Sequence, residues 1–354
     1  MEEKIKQLLV NPDLPLRESL RQMDKGALQF LVVVDELNRI LGVVTDGDIR
    51  RAIIINVDFN IPIKMVMNPH PITMLFPVNQ EKAFILMKEH SIKHIPVVNE
   101  QKQIVDIVLW DSLFKDSQAS YPYMDTPVVI MAGGKGTRLD PFTKILPKPL
   151  IPLGDKPIIE IIMDRFKKYG FNKFTISVNY KAEMIKMYFT ENPSDYQIDY
   201  IKEKEFLGTA GALSLAKDKL QDTFIVSNCD VITDADFNNF LNYHKENKNQ
   251  ATVFAVLRHI KIPYGVMQIK NGDLEHILEK PEYSFVINTG IYALEPDMID
   301  LIPEDSVMNM PDLLLLAKKR GLKVQVYPMS CSWFDVGEWE EYKKALEFIT
   351  GTRC

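Results

Sequence analysis

The sequence predicts an α/β protein: a doubly wound, mostly parallel sheet over residues 127–350, preceded by a smaller α+β module over residues 1–118. Three observations predict it. A short apolar run, Val128 to Met131, reads as a buried strand and leads directly into Gly133, Gly134 and Gly136. From Pro157 to Ser227, helical and strand periods alternate with short connections, the pattern of a parallel sheet carrying ligands at the carboxyl ends of its strands. Before residue 118, a helix–strand–strand–helix order of about 60 residues occurs twice, too long for a solenoid period, which suggests two units packed against each other.

In the first copy, Leu16 to Met23 is an amphipathic helix, Phe30 to Asp35 and Ile40 to Val44 are strands around a turn at Glu36 to Arg39, and a second helix starts at Asp46. The second copy repeats this with a helix over Gln80 to Glu89, strands over Ile95 to Val98 and Ile104 to Leu109, and a helix over Asp111 to Phe114. The units are bounded at 1–62 and 63–118, and residues 119–126 read as a linker because apolar periodicity is lost there. Beyond the glycines, helices are expected over Pro157 to Tyr169, Ala182 to Phe189 and Ala210 to Lys219, with strands over Lys173 to Val178, Ile198 to Tyr200 and Thr223 to Ser227.

Composition narrows the function classes. The chain has 354 residues, 46% hydrophobic and 25% charged, enough for two or three domains. A net charge of -6 argues against nucleic-acid binding, which needs a basic face. The start, MEEKIKQLLV, lacks the features of a secretion signal, and no apolar run approaches the ~20 residues that span a bilayer, so a cytoplasmic protein without membrane contact is expected. Cys229, Cys331 and Cys354 are odd in number and lack C-x-x-C pairing, and the six histidines are scattered, so neither a disulfide framework nor a zinc site is indicated.

The chemistry concentrates in PVVIMAGGKGTRLDPFTKILPKPLIPLGDKP, residues 127–157. Glycines allow successive N–H groups to converge on a phosphate, and Arg138 and Lys148 add cations downstream. The spacing is not that of a P-loop, and Pro141, Pro147 and Pro149 prevent the long helix of a dinucleotide fingerprint. An acidic position follows at a strand end, Asp230 in Asn228-Cys229-Asp230 after the apolar strand FIVS. A carboxylate there can hold Mg²⁺, which takes few protein oxygens and completes its shell with water and phosphate.

With G-x-G-T-R-L-x-P-x-T, P-K-P-L, E-K-P over Glu279 to Pro281, Y-G-V over Tyr264 to Val266, N-x-G over Asn288 to Gly290 and W-x-D-x-G over Trp333 to Gly337, residues 127–340 resemble the sugar-1-phosphate nucleotidylyltransferases, which have a Rossmann-like nucleotidyltransferase domain. The resemblance implies joining of an NTP to a sugar 1-phosphate. It implies nucleotide contacts at Ala132, Gly133, Gly134, Gly136, Thr137, Gly208 and Thr209, catalysis by Arg138 and Lys148, and Mg²⁺ on Asp230 and Asp335. Sugar-phosphate contacts are implied at Gly265, Glu279, Lys280 and Asn288, with Trp333 kept as a core aromatic and Asp234 as a cap or turn residue. In EKEFLGTAG, a carboxylate can accept both N1–H and N2–H of guanine, so Glu205 favours GTP over other NTPs, with Glu203 able to carry the role instead. That segment is also more similar to the guanylyltransferases of the superfamily, with glucosamine, mannose or heptose 1-phosphate as acceptor.

Residues 10–115 resemble a tandem CBS pair through LVVVDELNRILGVVTDGDIRRAI and HIPVVNEQKQIVDIVLWDSL. The resemblance implies self-association and an adenosine nucleotide at Thr45 and Asp48, whereas helix capping by Thr45 and Asp46 is the alternative. The second copy has Leu109 and Ser112 at the matching positions. A catalytically silent nucleotide sensor is the competing class, weighed against by the presence of Arg138, Lys148, Asp230, Lys280 and Asp335 together.

Overall fold

The computed structural model describes residues 3–26, 29–90, 92–110 and 123–351, and the chain divides into two compact units, residues 1–119 with 328–331 and residues 120–327 with 332–354. In the first unit, β1 (Leu9–Val10) lies parallel to β2 (Phe30–Val34), which runs antiparallel to β3 (Ile40–Thr45). The second copy repeats this with β4 (Met74–Leu75), β5 (His94–Val98) and β6 (Ile104–Leu109). The register shifts at the same place in both, between Val33 and Val34 and between Val97 and Val98. Helices run over Leu16–Gly26, Asp46–Ile54 and Gln80–Glu89, while the helix expected over Asp111 to Phe114 lies outside the described residues.

The two copies share a core. All five residues of β2 are buried, and Phe30, Val32 and Val34 cluster with Val98 and Ile104 of the other copy. Ile40 N–H donates to the Lys102 carbonyl and Ile104 N–H to that of Asn38, both at 3.0 Å, so the strand turns interlock. His94 stacks on Phe30 with 4.7 Å between ring centroids, and burial, assisted by Lys93, pushes its pKa down to about 4. A folded-state pKa below the unfolded value means that the unfolded chain binds the extra proton. Stability is therefore present above about pH 6.5 and is lost as pH falls toward 4. Going from pH 7 to pH 5 should cost this unit about 2 kcal/mol through His94. In melting scans His94→Phe should remove that part of the acid sensitivity, and an unchanged pH profile would contradict it.

In the second unit, β7 (Val128–Met131) is followed by a two-strand ladder, β8 (Pro152–Leu153) and β9 (Lys156–Pro157), and then by β10 (Lys173–Val178), β11 (Gln197–Lys202), β12 (Phe224–Asn228) and β13 (Val231–Thr233). Next come β14 (Ala251–Lys261), β15 (Val266–Lys270), β16 (Asp273–Leu278), β17 (Glu282–Leu294), β18 (Val324–Met329) and β19 (Trp333–Asp335). The central sheet has the order β11-β10-β7-β12-β17-β14-β18. Strands β11, β10, β7 and β12 are mutually parallel, so their carboxyl ends share one edge, and β17 pairs antiparallel with both β12 and β14. Helices over Ile158–Lys168, Ala182–Glu191, Phe237–Glu246 and Met310–Lys319 turn apolar residues inward.

The helix expected over Ala210 to Lys219 is instead a four-residue turn, Gly208–Gly211, running into a 3₁₀ stretch over Ala212–Ala216. The cause is close approach of main chains. A Cβ on Gly208 or on Gly211 would lie 2.5 Å from the carbonyl oxygen of Met308 or Ser306 respectively, and Gly208 has a φ of 83°. Among the described residues no helix is long and apolar enough to cross a membrane.

Candidate active site

Where β7, β11 and β12 end, the chain turns into Ala132-Gly133-Gly134, Glu203 and Cys229-Asp230, so the parallel register alone brings these segments together. All of these but Ala132 line a cavity of about 310 Å³ with Met131, Gly136, Thr137, Arg138, Lys148, Phe206, Gly208, Thr209 and Asn228. A Cβ on Gly133 would lie 2.4 Å from Glu203 Oε1, so any larger residue there would have to displace that carboxylate. Gly136 has a φ of 68° and ends the loop in a single 3₁₀ turn, Thr137–Leu139, with Lys148 packed over its Cα.

The charged residues form one group. Lys148 is buried, and its ammonium donates to Asp230 Oδ2. Asp230 lies on the loop before β13, whose Val231 pairs directly with Asp335 of β19, and Val336 N–H donates to the Asp230 carbonyl at 2.9 Å. A Cβ on Gly337 would lie 2.6 Å from Lys148 Nζ, 2.8 Å from Asp335 Oδ1 and 3.4 Å from Asp230 Oδ2, so one lysine and two carboxylates converge on a point that only glycine leaves open. Burial, then the facing Asp230 charge, hold the Asp335 carboxyl above the usual carboxylate range. Arg138 reaches across to Glu338 at 3.0 Å on the exposed rim. Among the described residues no cluster of three or more His, Cys, Asp and Glu is arranged around one point, so a cation here would rest on this carboxylate pair. The Cys229 thiol is pushed up to about 12 by burial and the adjacent Asp230, so it stays protonated and is no nucleophile.

Nine sequence-predicted residues thus meet in the cavity: Gly133, Gly134, Gly136, Thr137, Arg138, Lys148, Gly208, Thr209 and Asp230. Asp335 stands beside it, and buried Ala132 donates its N–H to the Ser177 carbonyl at 2.9 Å. Glu205 does not line the cavity and is exposed, whereas Glu203, the alternative of the two, is buried in its wall. The sugar-contact candidates gather in two groups outside the cavity wall. Glu279 Oε2 approaches Gly265, and Lys280, at a φ of 47°, donates its N–H to the Tyr264 carbonyl. Asn288 sits at the register shift of β14 and β17, bound to Tyr292 Oη at 2.9 Å and to Gly290 N–H at 3.1 Å.

Met131, Phe206, Asn228 and Cys229 also line the cavity, and no sequence motif assigned them to the site. The signal for Asn228 was its place beside Cys229-Asp230. Its amide packs on Gly290, where a Cβ would come within 2.4 Å, and so links the cavity to the Asn288 group. Trp333 is not a core residue but half-buried, with Arg258 5.4 Å above its ring. Asp234 accepts from Ser332 N–H at 2.9 Å, while the cap of the following helix is Asp236.

In the first unit, Asp48 is buried and accepts from Thr45 N–H at 2.8 Å, from Thr45 Oγ1 at 2.7 Å and from Arg51. The capping alternative thus accounts for both residues, with Asp48 rather than Asp46 as Thr45's partner. A separate cavity of about 380 Å³, lined by Ile40, His70, Leu75, Val98 and Lys102 among others, does not include them.

A glycine loop at the carboxyl edge of parallel strands, facing two cations and two carboxylates, is the arrangement of an α/β protein built to handle phosphate groups. The nucleotidyl transferase family model matches residues 127–352, most of the chain, and the CBS domain model matches residues 5–55 and 63–117. The chain therefore belongs to the nucleotidyl transferase family, with two CBS domains ahead of the transferase domain. It is 34% identical over 237 residues to the probable mannose-1-phosphate guanylyltransferase 1 of Oryza sativa subsp. japonica, covering 64% of this chain and 63% of that one. It is 32% identical over 242 residues to the UTP–glucose-1-phosphate uridylyltransferase of Synechocystis, covering 62% of each chain. The chain thus spans less than two thirds of the length of these relatives. Among solved structures, HddC from Yersinia pseudotuberculosis is similar with a TM-score of 0.52 and 29% identity over 63% of this chain and 99% of that one, and it has also been solved with GMP-PN.

Proposed function

We propose that this protein is a sugar-1-phosphate nucleotidylyltransferase that joins GTP and a sugar 1-phosphate into a GDP-sugar with release of pyrophosphate. The observation that carries the reading is the convergence of the glycine loop, Arg138, Lys148 and Asp230 on one cavity, with Asp335 at its edge. An oxygen of the sugar phosphate attacks the α-phosphorus in line; the new P–O bond forms as the bond to the β-phosphate breaks, and pyrophosphate leaves. A phosphate is already ionised, so the site needs no protein nucleophile, and catalysis reduces to positioning and charge neutralisation. Backbone N–H groups of residues 133–137 hold phosphate oxygens, and Arg138 and Lys148 offset the charge that develops on the leaving group. Asp230 and Asp335 fit Mg²⁺, which when bound supplies further charge neutralisation to the phosphates. The decisive experiment is a pyrophosphate-release assay over a panel of NTPs and sugar 1-phosphates. Release with GTP and one sugar phosphate is expected, and none with any pair would refute the reading.

For base choice, the reading moves from Glu205 to Glu203. Its carboxylate accepts from Ser177 Oγ at 2.7 Å and from Leu207 N–H at 3.0 Å, which leaves about two of its roughly four acceptor sites for the N1–H and N2–H of guanine. Glu203→Gln should lower the preference for GTP over UTP by about 1–3 kcal/mol, on the order of tenfold or more in kcat/KM, and Glu205→Gln should leave it unchanged. The reverse pattern would return the role to Glu205. As acceptor, the order of a CBS pair before the transferase favours glucosamine 1-phosphate, on a route to legionaminic-type nonulosonic acids. Similarity to enzymes named as mannose-1-phosphate guanylyltransferases supports mannose 1-phosphate as the second reading. Gly265, Glu279, Lys280 and Asn288 would contact the sugar phosphate. Residues 1–118 would assemble the enzyme or regulate it through an adenosine nucleotide, read as a change in rate or melting temperature on adding AMP or ATP.

A further inference from the structure

Phe206 is 49% exposed, and its position is fixed by its neighbours on either side. Glu203 and Leu207 are both buried and joined by the bond from Leu207 N–H to Glu203 Oε2, while Ser177 Oγ ties Glu203 to β10. On the other side Met308 N–H donates to the Leu207 carbonyl, Ala210 and Gly211 N–H donate to the Met308 carbonyl, and Met310 N–H donates to Thr209 Oγ1. The turn over residues 203–211 is therefore clamped at both ends. The side chain at its exposed crest is an aromatic ring on the cavity wall.

The cavity has a chemical polarity. Residues 133–138, Lys148 and Asp230 supply the groups that suit phosphates, whereas Glu203, Phe206, Gly208 and Thr209 come from the clamped turn. A nucleobase presents both an edge and a face. Glu203 offers hydrogen-bond acceptors to an edge, and among the described residues of the wall Phe206 carries the one aromatic ring. We propose that Phe206 is the residue on which the nucleobase stacks, so that the site selects purine nucleotides by face as well as by edge. The inference rests on the reading of this cavity as a nucleoside triphosphate site. Stacking grows with the overlapped ring area, so a two-ring purine gains more from Phe206 than a pyrimidine does.

The test uses the full chain and compares GTP, UTP and inorganic tripolyphosphate by calorimetry. Tripolyphosphate fills the phosphate end and has no base. In Phe206→Ala the Kd for GTP should rise by about 10- to 100-fold, that for UTP by less, and that for tripolyphosphate not at all. Phe206→Leu keeps apolar bulk without a ring and should lose most of the same affinity, while Phe206→Tyr should restore it. In steady state, KM for GTP should rise by a larger factor than kcat falls, because a base contact made in ground and transition states alike is uniform binding. GTP affinity unchanged in both Phe206→Ala and Phe206→Leu overturns the proposal. An equal loss for tripolyphosphate also overturns it, since Phe206 would then merely support the loop. Wild-type protein that binds tripolyphosphate but not GTP removes the base site and with it the proposal. Binding of neither overturns the nucleotide reading of the cavity as well.

Discussion

Replacing Asp230 by Asn is expected to lower turnover by about 10²-fold or more while the protein stays folded. The amide keeps the shape of the side chain, the Val336 N–H bond to the residue-230 carbonyl is untouched, and the β13–β19 register persists. What is lost is one of two negative charges at the point where the proposed reaction would hold a cation and a triphosphate together. Asp335→Asn should act in the same direction, and combining the two should cost less than the product of the single effects, because both serve one centre. Wild-type rates for either variant in saturating Mg²⁺ would remove the carboxylate pair from the chemistry.

Lys148→Met should give the second large effect, with two separable consequences. Turnover should fall by about 10²- to 10³-fold, because a preorganised cation facing the transferred phosphate is removed from a poorly hydrated site. The metal-free enzyme should also lose about 2 kcal/mol of stability, because Asp230 and Asp335 then face each other without the ammonium that now sits on Asp230. For a domain of this size that corresponds to a fall in Tm of roughly 4–8 °C. Added divalent cation should recover part of the lost stability and none of the lost turnover. Recovery of both would make Lys148 a structural counter-ion alone.

The glycine loop and its two cations were legible in the sequence because they follow an apolar strand within 20 or so residues, so chain connectivity alone keeps them near one strand end. The repeat in residues 1–118 was legible for a similar reason: local periodicity is what builds each unit, and the two copies agree down to the position of the register shift. The antiparallel half of the central sheet was not read. The first seven residues of β14 are all buried, a run without alternation, and the continuation of β14 and β17 into exposed ends obscures the period.

Which carboxylate faces which group was decided by tertiary structure alone. Glu203 and Glu205 differ by two positions around a turn whose course depends on the distant segment 306–310, so no local pattern could place one in the cavity wall and the other in solvent. Asp335 joins Asp230 through an antiparallel pairing across about a hundred residues. Thr45 and Asp48 bond each other within one helical turn, a pairing whose spacing in the sequence is as legible as that of a ligand contact. The sequence by itself determined the CBS repeat ahead of an α/β domain, the glycine loop after its first strand, the family and most of the residues that line the cavity, because each is encoded by residues close together in the chain. The tertiary structure alone decided which glutamate lines the cavity and the meeting of the two carboxylates, because these depend on strand register and on long-range contacts that no local period records.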